Sequence, residues 1–214
     1  MTDPVGQIAL DRLAVQESVR LLGLARGDDW ERDTPCAGWT LRRLAAHMTA
    51  QHRGFAAAAR GGGGEPAPWR ERQDEADPGE AHRAAALDLL DAFAEPGVEE
   101  REFTLPELRE GPGPGGGWPG RIAVGFHLVD YVVHAWDVAV TLGVGVELPA
   151  PVVTAAHAVA LRVPTDPESR APGAAFAPPV ERTAGGSDFA AMLALLGRDP
   201  GWRPGATGDG KPQM

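Results

Sequence analysis

One cysteine, one lysine and no uninterrupted run of 18 apolar residues occur among the 214 positions of this chain. A lone thiol, Cys36, excludes an intramolecular disulfide and any cysteine-rich zinc or iron–sulfur site. Without a long apolar run there is no membrane-spanning helix. The opening residues, Met-Thr-Asp-Pro-Val-Gly-Gln, have neither the basic flank nor the apolar core of a signal peptide, so a cytoplasmic protein is expected. Cations are scarce: 20 Lys and Arg stand against 30 Asp and Glu, a net charge of -10 and a pI near 5.0. That field disfavours nucleic acid and anionic lipid as partners. Lys211 as sole lysine reflects a GC-rich coding bias, which also enriches Gly and Pro and weakens what Gly/Pro-rich loops say about function. What remains, 43% hydrophobic residues and a mean hydropathy of -0.22, is the composition of a soluble globular chain.

Apolar residues recurring near every 3.6 positions predict a helix over 7–24, through Ile8, Leu10, Leu13, Val15, Val19, Leu21, Leu22 and Leu24. A turn-rich stretch covers 27–39. Thr40 suits the N-cap of a second helix, which ends near Arg60 because the glycines at 61–64 hold helical order at a cost. A polar, proline-containing loop at 65–78 precedes a third helix over 80–94. The Gly/Pro run at 110–120 reads as a loop. A fourth helix over 121–142 has apolar residues nearly all the way round, as in a helix packed on several sides. Shorter helices are expected at 151–163 and 187–196. Strand signals are weak and no fixed-period repeat is visible, so the expected fold is all-α, a helical bundle. Residues 1–204 are expected to form one domain and 205–214 a disordered tail.

Segment 126–137 carries the chemistry. Four helical residues advance about 400°, so Asp130 and His134 stand roughly 40° apart on one face. Such a pair presents two metal ligands, as His-x3-His does for zinc; a buried Asp holding a His or Arg in place gives the same spacing. His127 and Asp137 lie seven residues from His134 and Asp130, near that face. His127 is either a ligand or a histidine at the solvent edge. Asp137 either accepts a hydrogen bond from a ligand imidazole or binds an Arg of a neighbouring helix. His47, in a run with no other polar group, is the candidate third ligand; a buried neutral imidazole with one hydrogen bond is the plain alternative. His52 is expected to point elsewhere, into solvent, and His82 and His157 have no partner at ligand spacing. Cys36, beside Pro35 in a turn, reads as a small packing residue. No Gly-Lys-Ser/Thr, strand-borne glycine fingerprint or Gly-x-Ser-x-Gly is present, which sets aside phosphate-loop, dinucleotide and hydrolase readings.

Thr34-Pro-Cys-Ala-Gly-Trp-Thr-Leu-Arg-Arg-Leu-Ala-Ala-His47 closely resembles the entry motif of the DinB/YfiT-like superfamily, in particular the N-terminal domain of mycothiol-dependent maleylpyruvate isomerases. Val129-Asp-Tyr-Val-Val-His134-Ala-Trp-Asp-Val-Ala is similar to that family's second motif. Phe176-Ala-Pro-Pro-Val180 and Leu196-Gly-Arg-Asp-Pro200 look like the tail of its short, single-domain actinobacterial branch. The resemblance spans most of the chain. It implies an up-down-down-up four-helix bundle with a divalent metal on His47, Asp130 and His134. The isomerase has Glu where this chain has Asp130, one methylene shorter, so direct, water-mediated and helix-shifted coordination stay open. It also carries a C-terminal domain that contributes to catalysis, for which this chain is too short.

Three protein ligands leave open positions, the mark of a catalytic metal site. The resemblance implies that a thiolate takes one of them. The leading expectation is therefore a divalent-metal-dependent isomerase or S-transferase that uses mycothiol on a small electrophile. Zn²⁺ comes first, with Ni²⁺, Mn²⁺ or Fe²⁺ as alternatives. Arg43 and Arg121 are candidates for holding polar groups of thiol or substrate, or else solvated surface residues. The alternatives are a thiol-independent metal enzyme (hydrolytic, isomerising or cyclising, or of the non-haem iron type) and a non-catalytic metal- or ligand-binding bundle. The expected partner is a small molecule, with no nucleic acid or membrane, and a homodimer is left open.

Overall fold

Local chemistry sets the helix ends. The Thr40 hydroxyl accepts from the Arg43 backbone and starts α2 (Leu41–Ala59). Asp77 caps α3 (Pro78–Phe93) with proline in its first turn, and Ser187 caps α6 (Asp188–Leu195). α4 (Gly120–Leu142) stops at Gly143, whose φ of 71° is left-handed and suited to glycine. α1 (Gln7–Leu22) and α5 (Ala150–Ala160) complete the α-helices, and short 3-10 turns lie at Gly27–Glu31 and Val98–Glu100. The computed structural model describes residues 6–106, 108, 111–171, 174–181 and 187–205. Among these the only strands are β1 (Glu102–Phe103) and β2 (Trp118–Pro119), paired antiparallel. The loop predicted at 110–120 thus contains a two-residue strand. The tail predicted as disordered lies, from 206 onward, outside the described residues.

The four long helices run up-down-down-up, as their contacts show. The start of α1 meets the start of α4 (Gln7 against Gly125) and its end meets the end of α4 (Arg20 to Gly145), so these two are parallel. Ser18 bonds His82 and Gly79 abuts Leu22, which makes α3 antiparallel to α1. Tyr131 reaches Met48 while His127 reaches His52, so α2 runs opposite to α4. α2 packs chiefly on α3, and α4 chiefly on α1, with α5 against α4. Every α4 face meets another element, which is why its sequence is apolar almost all round. No described helix is long and apolar enough to cross a membrane.

The core contains polar groups that the apolar periodicity gave no reason to expect. His52 is fully buried, not solvent-facing. Its Nδ1 is 3.2 Å from Nε2 of His127, whose Nδ1 donates to Asp11 at 2.7 Å. His82 is also fully buried; its Nε2 meets the Ser18 hydroxyl at 2.9 Å and its ring lies 4.7 Å from that of His52. His127 is therefore neither a solvent-edge residue nor a member of the ligand cluster. His52 escaped the sequence pattern because its acceptor lies 75 residues away on an antiparallel helix.

Candidate metal centre

His47, from the second turn of α2, and Asp130 and His134, stacked on α4, converge near one end of the bundle. One ligand atom from each lies within 4.8 Å of the others. His134 Nε2 is 3.3 Å from Asp130 Oδ1, and the two imidazole rings are 5.4 Å apart, edge to face. Asp130 and His47 keep partial access to solvent while His134 is nearly sealed. Access on one side and enclosure on the other suit a site that admits a ligand.

The orientation of the imidazoles is the most informative feature. His134 donates Nδ1–H to Asp137 at 2.9 Å, and His47 donates Nδ1–H to Glu71 at 3.1 Å. A carboxylate can only accept, so each contact holds the proton on Nδ1 and leaves the Nε2 lone pair for something else. Carboxylate-backed imidazoles of this kind are what metal-bound histidines have. The donor set fits a borderline divalent cation: two imidazoles and one carboxylate, with fewer protein ligands than a closed structural site uses.

Charge in the cluster is strongly coupled. Burial pushes the Asp130 carboxyl up, but the imidazole of His134, then those of His47 and His127, outweigh it and hold it at about 2. Burial disfavours the His134 cation, yet Asp130 and Asp137 on its two nitrogens raise it well above an ordinary imidazole. A proton on His134 Nε2 thus occupies the place a cation would take. Glu71 is lowered by its bond to His47 against the effect of burial, with Arg43 helping.

Asp137 meets both kinds of partner expected of it, an imidazole and an arginine, although Arg198 lies just past α6 and not on a helix. It orients His134, and its two oxygens also take Arg198 Nε at 3.0 and 3.2 Å and Nη2 at 3.0 Å. Burial pushes this carboxyl up, and Arg198 with His134 brings it below its usual range. Cys36 sits 3.3 Å from Asp137 and 3.2 Å from Arg198, so it does more than fill a turn. Cys36, His134 and Asp137 also converge closely enough to hold an ion. The first trio is favoured, because the Asp137 oxygens are already engaged by Arg198 and His134 Nδ1.

Arg43 lies at the site, its guanidinium 4.5 Å over the Trp39 ring, which contacts His47 at 5.0 Å. Arg121 does not: it is exposed in the first turn of α4, about 13 Å along the axis from Asp130. His157 lies apart on α5. Sequence reasoning missed Glu71 and Arg198. Glu71 sits in an aperiodic loop, where nothing distinguishes it from Glu65 or Glu75. Arg198 lay within the Leu196–Pro200 motif already singled out, and a buried partner for Asp137 was the available clue.

Comparison with known proteins places these elements in context. Residues 12–139 match the family model described as the mycothiol maleylpyruvate isomerase N-terminal domain. Two Mycobacterium tuberculosis proteins are 31% identical over 162 residues, 73% of this chain and 78% of theirs: Uncharacterized protein MT0763 (strain CDC 1551 / Oshkosh) and Uncharacterized protein Rv0738 (strain ATCC 25618 / H37Rv). Crystal structures of a mycothiol-dependent maleylpyruvate isomerase share the fold. A histidine-to-alanine mutant gives a TM-score of 0.62 at 16% identity, and a second structure 0.60 at 18%. Each alignment covers 90% of this chain and 88% of the solved one. The shared fold thus extends over most of both chains.

Proposed function

We propose, from the premise that this chain belongs to the mycothiol maleylpyruvate isomerase N-terminal domain family, that it is a divalent-metal-dependent enzyme of the isomerase or S-transferase type. It takes mycothiol as co-substrate and acts on a small electrophile. One observation carries the metal half of this reading: both imidazoles have Nδ1 tied to a carboxylate, as metal-bound histidines do, and each brings a ligand atom within 4.8 Å of the other and of Asp130. The thiol half rests on the family alone.

A divalent cation held by His47, Asp130 and His134 would supply Lewis acidity, enough to keep a coordinated thiol deprotonated near neutral pH. The chain's own residues do the rest. Glu71 and Asp137 keep the two ligand imidazoles in the Nε2-accepting tautomer. Arg198 neutralises Asp137 so that this carboxylate can stay ionised in the core. Trp39 lies against His47 and Arg43, shielding that edge of the site from water. Residues 1–204 act as a single unit in this reading, since Arg198 completes a site built on α2 and α4.

Elemental analysis of the purified protein tests the metal. About one divalent ion per chain is expected, and His134→Ala should lose it; no ion after reconstitution with Zn²⁺, Ni²⁺, Mn²⁺ and Fe²⁺ overturns the reading. Mycothiol titrated into Co²⁺-loaded protein should produce a saturable thiolate-to-metal absorption band that is absent from His134→Ala. Metal binding without that band would turn the assignment toward a thiol-independent metal enzyme.

A further inference from the structure

We infer that Tyr131 is a positioning residue for the metal centre: by donating its hydroxyl from α4 to the Met48 carbonyl of α2, it sets the spacing between the two helices that carry the ligands. The inference rests on the metal reading above.

Placement is the first argument. Tyr131 is the immediate neighbour of Asp130, and Met48 the immediate neighbour of His47. The bond therefore joins α2 and α4 one residue from a ligand on each side. Neither helix is the other's principal packing partner, since α2 lies mainly on α3 and α4 mainly on α1. A direct polar tie consequently has more influence on their separation at this level than it would between closely packed neighbours. Ligand atoms must lie close to the metal–ligand distance, so a shift of a few tenths of an ångström matters here.

Enclosure is the second. Tyr131 is fully buried, and the imidazoles of His52 and His127 lie nearly parallel to its ring at 4.2 and 4.1 Å. These rings are held in turn, His127 by Asp11 and His52 by His127. Groups from α1, α2 and α4 thus fix the plane of the phenol, and its hydroxyl has one direction to point. This also explains the buried histidines, which lie outside the ligand trio and yet form a walled slot next to it.

Tyr131→Phe removes one oxygen and leaves the ring in its slot. If the inference holds, it weakens Co²⁺ binding by about 10-fold or more, the effect of losing an outer-shell partner, and alters the position or intensity of the Co²⁺ d–d band. Leu89→Ala, a fully buried position on α3, is the comparison: it should lower stability while leaving Co²⁺ affinity and spectrum unchanged. The inference is overturned if Tyr131→Phe binds Co²⁺ within about twofold of the wild type with an identical band, or if Leu89→Ala weakens binding equally. Should Tyr131→Phe fail to fold, 3-fluorotyrosine labels this position alone, because it is the chain's only tyrosine. Its ¹⁹F line should move when diamagnetic Zn²⁺ saturates the site, and an unmoved line overturns the inference. A wild-type protein that binds no Co²⁺ defeats the metal reading itself, and this inference with it.

Discussion

Replacing Asp137 by Asn separates two effects that meet on one side chain. The carboxylate has no exposure and accepts from Arg198, His134 and Cys36. An amide has nearly the same shape, but one end is a donor. Whichever way it turns, an NH₂ group faces a guanidinium N–H or the His134 Nδ1–H, so one bond becomes a donor–donor contact. The buried Arg198 also loses its counter-charge. Breaking a buried pair from one side costs about 3–5 kcal/mol, and that is the expected loss in urea denaturation of the metal-free protein. Losing the carboxylate behind His134 should separately weaken Co²⁺ binding by about 10–100-fold. Adding Arg198→Met to Asp137→Asn tests the partition. With no charge left to orphan, most of the stability should return, while metal affinity stays low because His134 still lacks its acceptor. A loss below about 1 kcal/mol in the single variant, or equal recovery of stability and metal affinity in the double, would refute this account.

Two further outcomes follow from the same geometry. Burial, with neighbouring imidazoles, puts His52 well below 6.5 and His82 at about 3. The unfolded chain therefore binds protons that the native state refuses, and the stability these groups contribute is present above pH 6.5 and lost as pH falls toward 3. The slope is up to about 1.4 kcal/mol per pH unit for each, measurable by urea midpoints, and a flat profile below pH 6.5 would contradict it. Gly54→Ala would set a Cβ 2.2 Å from the Trp69 ring, whose Nε1 donates to the Gly63 carbonyl and pins the loop that carries Glu71. A cost of about 1–3 kcal/mol is expected from overpacking, and Co²⁺ affinity should fall as Glu71 leaves His47; melting curves and titration read the two, and unchanged affinity would uncouple the loop from the site.

The helices were legible because their signals are local. Caps at Thr40 and Ser187, the stop at Gly143 and the 3.6-residue periodicity all act within a few residues. The pairing of Asp130 with His134 was legible for the same reason, being one helical turn apart. His47 stood out only as a polar residue in an apolar run, with a motif in support, because its distance from α4 is a tertiary fact. Glu71 reaches His47 from a loop that folds back over 24 residues. His52 reads as an exposed residue until α4 is laid beside it. In each case the hidden contact joins polar groups far apart in sequence, and hydrophobic periodicity carries no information about such pairs.

The lock on His134 closes late in the life of a molecule. All three candidate ligands and Asp137 are made before Arg198, which follows Asp137 by 61 residues. At a synthesis rate of about 5–20 residues per second, the guanidinium emerges roughly 3–12 s after the carboxylate it neutralises. During that interval Asp137 has His134 but not the guanidinium that takes both of its oxygens in the finished fold, so burying its carboxylate costs more than it does once Arg198 arrives. The segment that follows α6 therefore comes last to a cluster whose other residues are already made, and the packing around Asp137 is complete only when Arg198 docks.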